Sequence, residues 1–596
     1  MKIKGEKKVK KILDLIADEM KSAFTACGYD ASYAKVVLSN RPDLCEYQCN
    51  GAMAAAKAYK KKPIDIASEV VEKLNGDGMF SEINAVMPGF INIRLDAAYL
   101  ADFMNGMAKE EKLGVEEEGH GETIIVDYGG ANVAKPLHVG HLRSAVIGES
   151  VKRMGRYLGY NMIGDVHLGD WGLQMGLIIE ELRDRKPDLV YFDENYTGEY
   201  PSEPPFTISE LEDIYPTASG KSKVDEAFKE RAQTATFKLQ KGYPPYTAIW
   251  KHIMSVSLAD LKRNYDNLDV HFELWKGESD AEEYIPWLIQ DLQDKGLAYE
   301  SQGALVVDVT EPTDSKELPP CIVRKSDGAA LYATSDLGTI IQREKDFQPV
   351  KYVYITDKRQ ELHFKQVFRV AKKAGYVKPE TPMIHIGFGT MNGKDGKPFK
   401  TRDGGVLRLE QLLSDVESEV REKMADRDMD EDVLNDAAAK IGLAAIKYGD
   451  LSNQASKDYV FDVDRFTSFE GNTGPYILYT IVRTKSLNAK IEAQGINVDG
   501  DARILPAQNK TVTDVMLALS KWSDTVSAAY QEQAPHKICQ FVYELCDAYN
   551  KFYHENKILA NEDVQERQSW IVLSRLVGSV LEQAIDLLGL EAPDRM

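Results

Sequence analysis

His138-Val139-Gly140-His141 stands where a short β-branched segment gives way to a helical pattern. Two imidazoles three residues apart at a helix start share one face, beside backbone N–H groups that favour anions. Gly140 between them would let a nucleotide approach the backbone closely. This chemistry suits a triphosphate whose charge shifts at the α-phosphorus, with no covalent intermediate. Two other readings stand beside it: a zinc pair, or two histidines that cap the helix. Zinc lacks a third ligand nearby, because no Cys or His cluster follows at metal spacing. Tyr476, Tyr479, Arg483 and Lys485 sit at near-helical spacing, and Asp547–His554 offers a second aromatic-basic stretch. Such sets read single-stranded RNA by stacking and phosphate contact, although core packing accounts for many of the aromatics equally well. Cys45 and Cys49 could share a helix face, as buried inert thiols rather than a metal or redox pair.

These groups need elements to hold them. Val9, Ile12, Leu13, Ile16, Ala17 and Met20 recur at helical spacing, so an amphipathic helix opens the chain. Six lysines in the first eleven residues either touch RNA or simply solvate the helix end. Residues 62–95 alternate helical and strand-like stretches, a small α+β unit, and the charged segment 109–121 reads as a linker. Strands are expected at 123–128, 304–309, 352–356 and 383–387, separated by helical pattern. This alternation implies an α/β fold with a doubly wound parallel sheet. Residues 183–242, rich in Pro, Tyr, Asp, Glu and Ser, look like an insertion. From Leu409 strand signals fade, and the stripe Leu573, Leu576, Val577, Val580, Leu581, Ala584, Leu588 closes the chain as a helix that Gly589 stops.

The chain has 596 residues, 43% hydrophobic and 28% charged, the composition of a soluble globular protein. A net charge of −21 excludes a protein that coats nucleic acid by bulk charge, though not one with a local basic groove. No apolar run approaches the ~20 residues that cross a bilayer. Six cysteines without a C-x-x-C pair fit a reduced cytoplasmic chain.

The segment from Asp127 through Asn132, Lys135, His138 and His141 to Ser144 resembles the HIGH region of class I aminoacyl-tRNA synthetases, and more narrowly of arginyl-tRNA synthetases. The likeness continues in order through His167-Leu-Gly-Asp-Trp-Gly172, Tyr332-Ala-Thr-Ser-Asp336, Asp357-Lys-Arg-Gln360-Glu-Leu-His363, Gly396–Gly405, Glu470–Tyr476 and the ending Ala-Pro-Asp-Arg-Met596. It implies a Rossmann-type catalytic domain over 119–408 with the insertion near 183–242. An N-terminal α+β domain (1–118) would touch the tRNA elbow, with Asn50 in the matching segment. A C-terminal all-α bundle (409–596) would read the anticodon with residues such as Tyr476, Tyr479 and Arg483.

The resemblance places Asp127, Asn132, Tyr332, Asp336 and Gln360 around arginine. A guanidinium has five donors and no acceptor, so two carboxylates, two amides and a phenol are an apt set. Asp336 or Asp127 would meet the guanidinium or the α-ammonium. Such a pocket rejects neutral isosteres without an editing domain. ATP would lie on His138, Gly140 and His141, with Lys400, Thr401 and Arg402 from the second loop. Thr401 stands where many relatives carry a second phosphate lysine, so Lys135 is the implied replacement. Gly130-Ala131 departs from the usual Ser-Pro-like turn. The implied reaction forms arginyl-adenylate with Mg²⁺ help and then esterifies the terminal 2′-hydroxyl of tRNA(Arg). It requires no bound zinc or membrane, uses a monomer, and needs tRNA before activation. A cysteinyl-type relative would show a zinc cluster, a small nucleotidyltransferase would not need the helical tail, and an inactive RNA-binding paralogue would not need all eight polar site residues.

Overall fold

Ile124, Ile125 and Val126 are all buried, and so are Tyr352, Val353, Tyr354 and Ile355. Strands this apolar on both faces belong in the middle of a parallel sheet covered by helices. The computed structural model describes residues 11–74, 78–326, 328, 330–397 and 407–596. In it Thr123–Asp127 (β1), Asn161–Asp165 (β2), Lys351–Asp357 (β3) and Met383–Phe388 (β4) form one parallel sheet in the order β4-β3-β1-β2. Ile124, Val126, Val353 and Ile355 face one core, and Ile125, Tyr352 and Tyr354 face the other. The sheet is thus doubly wound. Helix α1 (Val139–Tyr157) lies in the first core, between the sheet and the C-terminal helices. On the opposite face are α2 (Tyr332–Phe347) and α3 (Glu361–Lys373).

From β1 the chain winds first to β2 on one side and later to β3 on the other. The strand order therefore reverses at the C-terminal ends of β1 and β3, where an α/β sheet leaves a crevice. Asp127 ends β1 and Asp357 ends β3.

Two strand expectations change. Ala304–Val307 is a strand, but it pairs antiparallel with Ala298–Ser301 and Cys321–Arg324 in a separate three-stranded sheet. The positive φ of Gln302 (53°) and Gly303 (83°) is what a two-residue hairpin turn demands. The strand that takes its expected place beside β1 is β2, whose short Asn-Met-Ile-Gly-Asp run carries little periodicity. Cys45 and Cys49 share no helix: Cys49 ends the strand Tyr47–Cys49, and both thiols are buried and free.

The N-terminal unit is a four-stranded antiparallel sheet in the order Val36–Leu38, Tyr47–Cys49, Phe90–Leu95, Phe80–Val86, packed with the helices Ile12–Ala26, Gly51–Tyr59, Pro63–Lys73 and Ala97–Met107. It rests on the C-terminal helices, where Asn105 exchanges two hydrogen bonds with the Ile504 backbone (2.8 and 2.9 Å). Segment 109–121 is no free linker. Leu113 and Val115 are buried, and the Glu118 and Gly119 N–H groups donate to the Leu158 carbonyl. Most of the span 183–242 is helical, with Ile208–Lys221 and Glu226–Gln240 packed on Leu173–Arg185. The C-terminal part contains α4 (Glu431–Leu451), α5 (Gly474–Ala493), α6 (His536–Glu555) and α7 (Val564–Leu587), the last ending before Gly589 at φ 67°. Among the described residues no helix is long and apolar enough to cross a membrane.

Candidate active site

The histidine pair opens α1 as a reciprocal cap. The Gly140 N–H donates to His138 Nδ1 (3.0 Å), and the His138 N–H donates to His141 Nδ1 (3.2 Å). A nitrogen that accepts is unprotonated, so each neutral ring carries its proton on Nε2. Burial, helped by the neighbouring charge of Lys135, lowers His138, and burial pushes His141 down to about 3. The rings lie 4.0 Å apart. Capping therefore leaves room for an anion: Nδ1 holds the helix and Nε2–H is left to donate. Gly140 has a use the sequence did not suggest, because a Cβ there would come within 2.8 Å of the His138 ring.

These rings line a cavity of about 500 Å³ at the switch point, together with Gly129, Gly130, Thr356, Asp357, Gln360 and Gly389. Ser144 ties the loop to the sheet: it accepts from the Gly129 N–H (2.8 Å) and donates to the Ile355 carbonyl (2.6 Å). Arg143 is buried behind the cavity and donates to Asp450 (2.9 Å) and to the Gly389 carbonyl (2.8 Å).

The amino-acid side of the site lies beside the ends of β1 and β2. Asp336 and Tyr332 are one helical turn apart at the start of α2. Asp336 Oδ2 accepts from His363 Nε2 at 2.5 Å, and Oδ1 faces His167 Nε2 at 3.7 Å. Tyr332 stands open to solvent, 71% exposed. Asn132 forms a bridge with Gly169, which joins its loop to the His167–Gly172 turn. That turn holds His167 at φ 39°, a strained backbone for a non-glycine residue. Asp127 differs from a free acceptor. Its Oδ2 takes a hydrogen bond from Arg343 (2.6 Å), which also binds Asp165 (2.7 Å).

Sequence reasoning missed two members. Arg343 reads as an ordinary helical arginine until its burial beside two carboxylates is seen. Glu278 sits in an acid-rich stretch with no local pattern to single it out. Its carboxyl faces His167, Asp170, Asp336 and the Trp171 backbone, and burial pushes it up to about 7. Asp170 aims it by capping the turn, accepting from the Ser279 N–H (3.0 Å) and hydroxyl (2.6 Å). Asp336 lies near enough to Glu278 for its charge to help raise the Glu278 carboxyl.

The residues that follow the second loop adjoin the first loop. The Val139 N–H donates to the Leu407 carbonyl (3.1 Å) and the Leu409 N–H to the Leu137 carbonyl (3.0 Å). Lys400, Thr401 and Arg402 lie outside the described residues. Lys135 is close to the histidines, with its ammonium over the ring of Tyr215. Among the described residues no three His, Cys, Asp or Glu side chains converge on a metal position.

Comparison with known proteins places this site. Residues 103–463 match the family described as tRNA synthetases class I (R), catalytic domain; residues 10–95 match the arginyl tRNA synthetase N terminal domain, and 477–596 the DALR anticodon binding domain. The arginine–tRNA ligase of Agathobacter rectalis is 60% identical over 99% of this chain and 100% of its own. The chain belongs to the arginyl-tRNA synthetases. The arginine–tRNA ligase of Alkaliphilus oremlandii is 51% identical over 98% of the chain and 100% of its own. Two solved arginyl-tRNA synthetases share the fold: that of Plasmodium falciparum (TM-score 0.81, 23% identity, 99% of this chain and 100% of that one) and that of Thermus thermophilus (0.79, 19%, 98% and 100%).

In this arginyl-tRNA synthetase the aromatic-basic residues of the helical part do converge. The Arg483 guanidinium lies 4.9 Å from the centre of the Tyr479 ring and 5.0 Å from that of Tyr553. It donates to Asn550, which donates in turn to the Tyr476 hydroxyl (3.0 Å). Lys485 lies elsewhere, bound to the chain end through Asp594 and the Ala592 carbonyl. Asn50 precedes the helix Gly51–Tyr59 without capping it, and its Oδ1 is buried with no hydrogen-bond partner.

Proposed function

We propose that this protein ligates L-arginine to tRNA(Arg) through an arginyl-adenylate. The arginine carboxylate attacks the α-phosphorus of ATP, pyrophosphate leaves, and the terminal 2′-hydroxyl of the tRNA then takes the acyl group. Asp336 and Glu278 receive the guanidinium, with Tyr332 closing over it. Asn132, Gln360 and the oxygen of Asp127 not engaged by Arg343 hold the α-ammonium and carboxylate. His138 and His141 donate Nε2–H to the phosphate as charge develops, and Lys135 neutralises the triphosphate. Catalysis is placement and electrostatics, with no protein nucleophile. Lys400, Thr401 and Arg402 are proposed for the phosphates on sequence alone. Mg²⁺ arrives with the triphosphate, its usual carrier.

The observation that carries this reading is the cavity at the strand ends lined by two neutral imidazoles, with the Asp336 and Glu278 carboxyls near enough to repel one another. Asn50 would contact the tRNA elbow, and Tyr476, Tyr479 and Arg483 the anticodon. We take the working units to be 1–118, 119–408 and 409–596, acting as a cytoplasmic monomer. Incubation with ATP, total tRNA and each amino acid in turn tests the proposal. Arginine should become attached; attachment of a different amino acid would overturn it.

A further inference from the structure

The insertion reaches the mouth of the site with one face of one helix. On Ile208–Lys221, Leu211, Ile214 and Ala218 are buried, and the helix packs against Leu173–Arg185. Their burial fixes where the other face points. Tyr215 borders that buried face and is itself partly buried against the core, and Glu212, three residues before it, lies next to it on the side away from Ile214. Glu212 Oε2 pairs with Arg408 Nη2 at 2.8 Å, and its side chain is only 10% exposed. The Lys135 ammonium lies 4.5 Å from the centre of the Tyr215 ring. Lys135 acts on the histidines by its charge, and Arg408 adjoins them through its backbone. Lys135 is three residues before His138, and Arg408 forms an antiparallel bridge with His138 itself.

From this geometry we infer that Tyr215 and Glu212 of the insertion are positioning residues for ATP, Tyr215 aiming Lys135 and Glu212 aiming Arg408 along the rim of the histidine cleft. The inference rests on Lys135 as the phosphate lysine. A lysine side chain has four rotatable bonds and many directions in water. A π-face on an anchored helix restricts it to one side of the mouth, so less freedom is lost when the triphosphate arrives.

The test is pyrophosphate exchange in the presence of tRNA, with KM measured separately for ATP and arginine. Tyr215→Leu should raise the ATP KM about fivefold, the loss of one cation–π contact, and leave the arginine KM unchanged. Tyr215→Phe keeps the π-face and should restore the ATP KM. Tyr215→Leu added to Lys135→Ala should cost nothing further, because the group it aims is gone. Tyr215→Met serves in place of the leucine variant if that chain does not fold. An unchanged or lowered ATP KM in Tyr215→Leu, or an undiminished effect in the Lys135→Ala background, overturns the inference. If Lys135→Ala by itself leaves the ATP KM unchanged, the phosphate-lysine assignment fails instead.

Discussion

Glu278 offers a direct reading of how arginine is recognised. Burial raises its carboxyl to about 7; His167 works against that rise, and repulsion from Asp170 and Asp336 adds to it. Below pH 7 the carboxyl is mostly neutral and cannot pair with a guanidinium; above it the group is ionised and can. Going from pH 8 to pH 6 lowers the ionised fraction from roughly nine-tenths to one-tenth, so the arginine KM should rise about tenfold. Glu278→Gln should remove that pH dependence. It should also raise the arginine KM at pH 8 by about a hundredfold, the loss of about 3 kcal/mol from a desolvated charge pair. The ATP KM, measured in the same exchange assay, should not share the slope, because His141 at about 3 stays neutral throughout this range. A wild-type arginine KM that is flat from pH 6 to 8, or the same slope in Glu278→Gln, would refute the reasoning.

His141→Ala removes one Nε2–H donor and one of the two capping contacts. Adenylation should slow by about a hundredfold to a thousandfold while the melting temperature falls by a few degrees at most. Near-normal exchange rates would remove His141 from the phosphate site. Arg483→Ala leaves Tyr479 and Tyr553 without the cation between them. The tRNA KM should rise about tenfold with the arginine KM unaltered, as for loss of one stacking position; equal tRNA KM values would assign these residues to packing. A chain with Lys135→Ala should show the complementary pattern, a raised ATP KM with tRNA affinity preserved in a gel-shift titration.

The parts legible in the sequence were those with a local pattern. The apolar runs of β1, β3 and β4, the histidine pair and the amphipathic terminal helix each announce themselves within a window of about ten residues. What stayed hidden depends on distant partners. Strand β2 is short and contains a glycine, and Ala304–Val307 shows the alternation of any strand while its hairpin partner decides its direction. Glu278 owes its position to a cap from Asp170, more than a hundred residues earlier. Tyr215 lies in a stretch whose composition says only that it is an insertion. Even the histidine pair was half read, since capping and anion binding stood as alternatives, whereas capping uses Nδ1 alone and leaves Nε2 for the other role.

Arg343 shows why the pocket can take a guanidinium at one place and not another. At 100° per residue, Tyr332, Asp336 and Arg343 fall within about 40° of one another on α2, beside the stripe of Ala333, Leu337 and Ile340 that packs into the core. The helix start thus carries two of the groups proposed to meet the substrate. Two turns further along, its own guanidinium closes on Asp127 and Asp165, where two adjacent strands end side by side. Without that arginine, two buried carboxylates would adjoin and form a second cation site deeper than the intended one. Arg343 fills it, leaving Asp336 and Glu278 as the carboxyls proposed for the substrate. Arg343→Met should therefore destabilise the protein by about 3–5 kcal/mol, because it strands two buried charges. Millimolar guanidinium ion, far below denaturing concentration, should recover part of the lost melting temperature by occupying the vacated place, with no such gain for the wild type. If Arg343→Met melts like the wild type, Asp127 and Asp165 do not need a cation between them, and the substrate guanidinium has no reason to prefer Asp336.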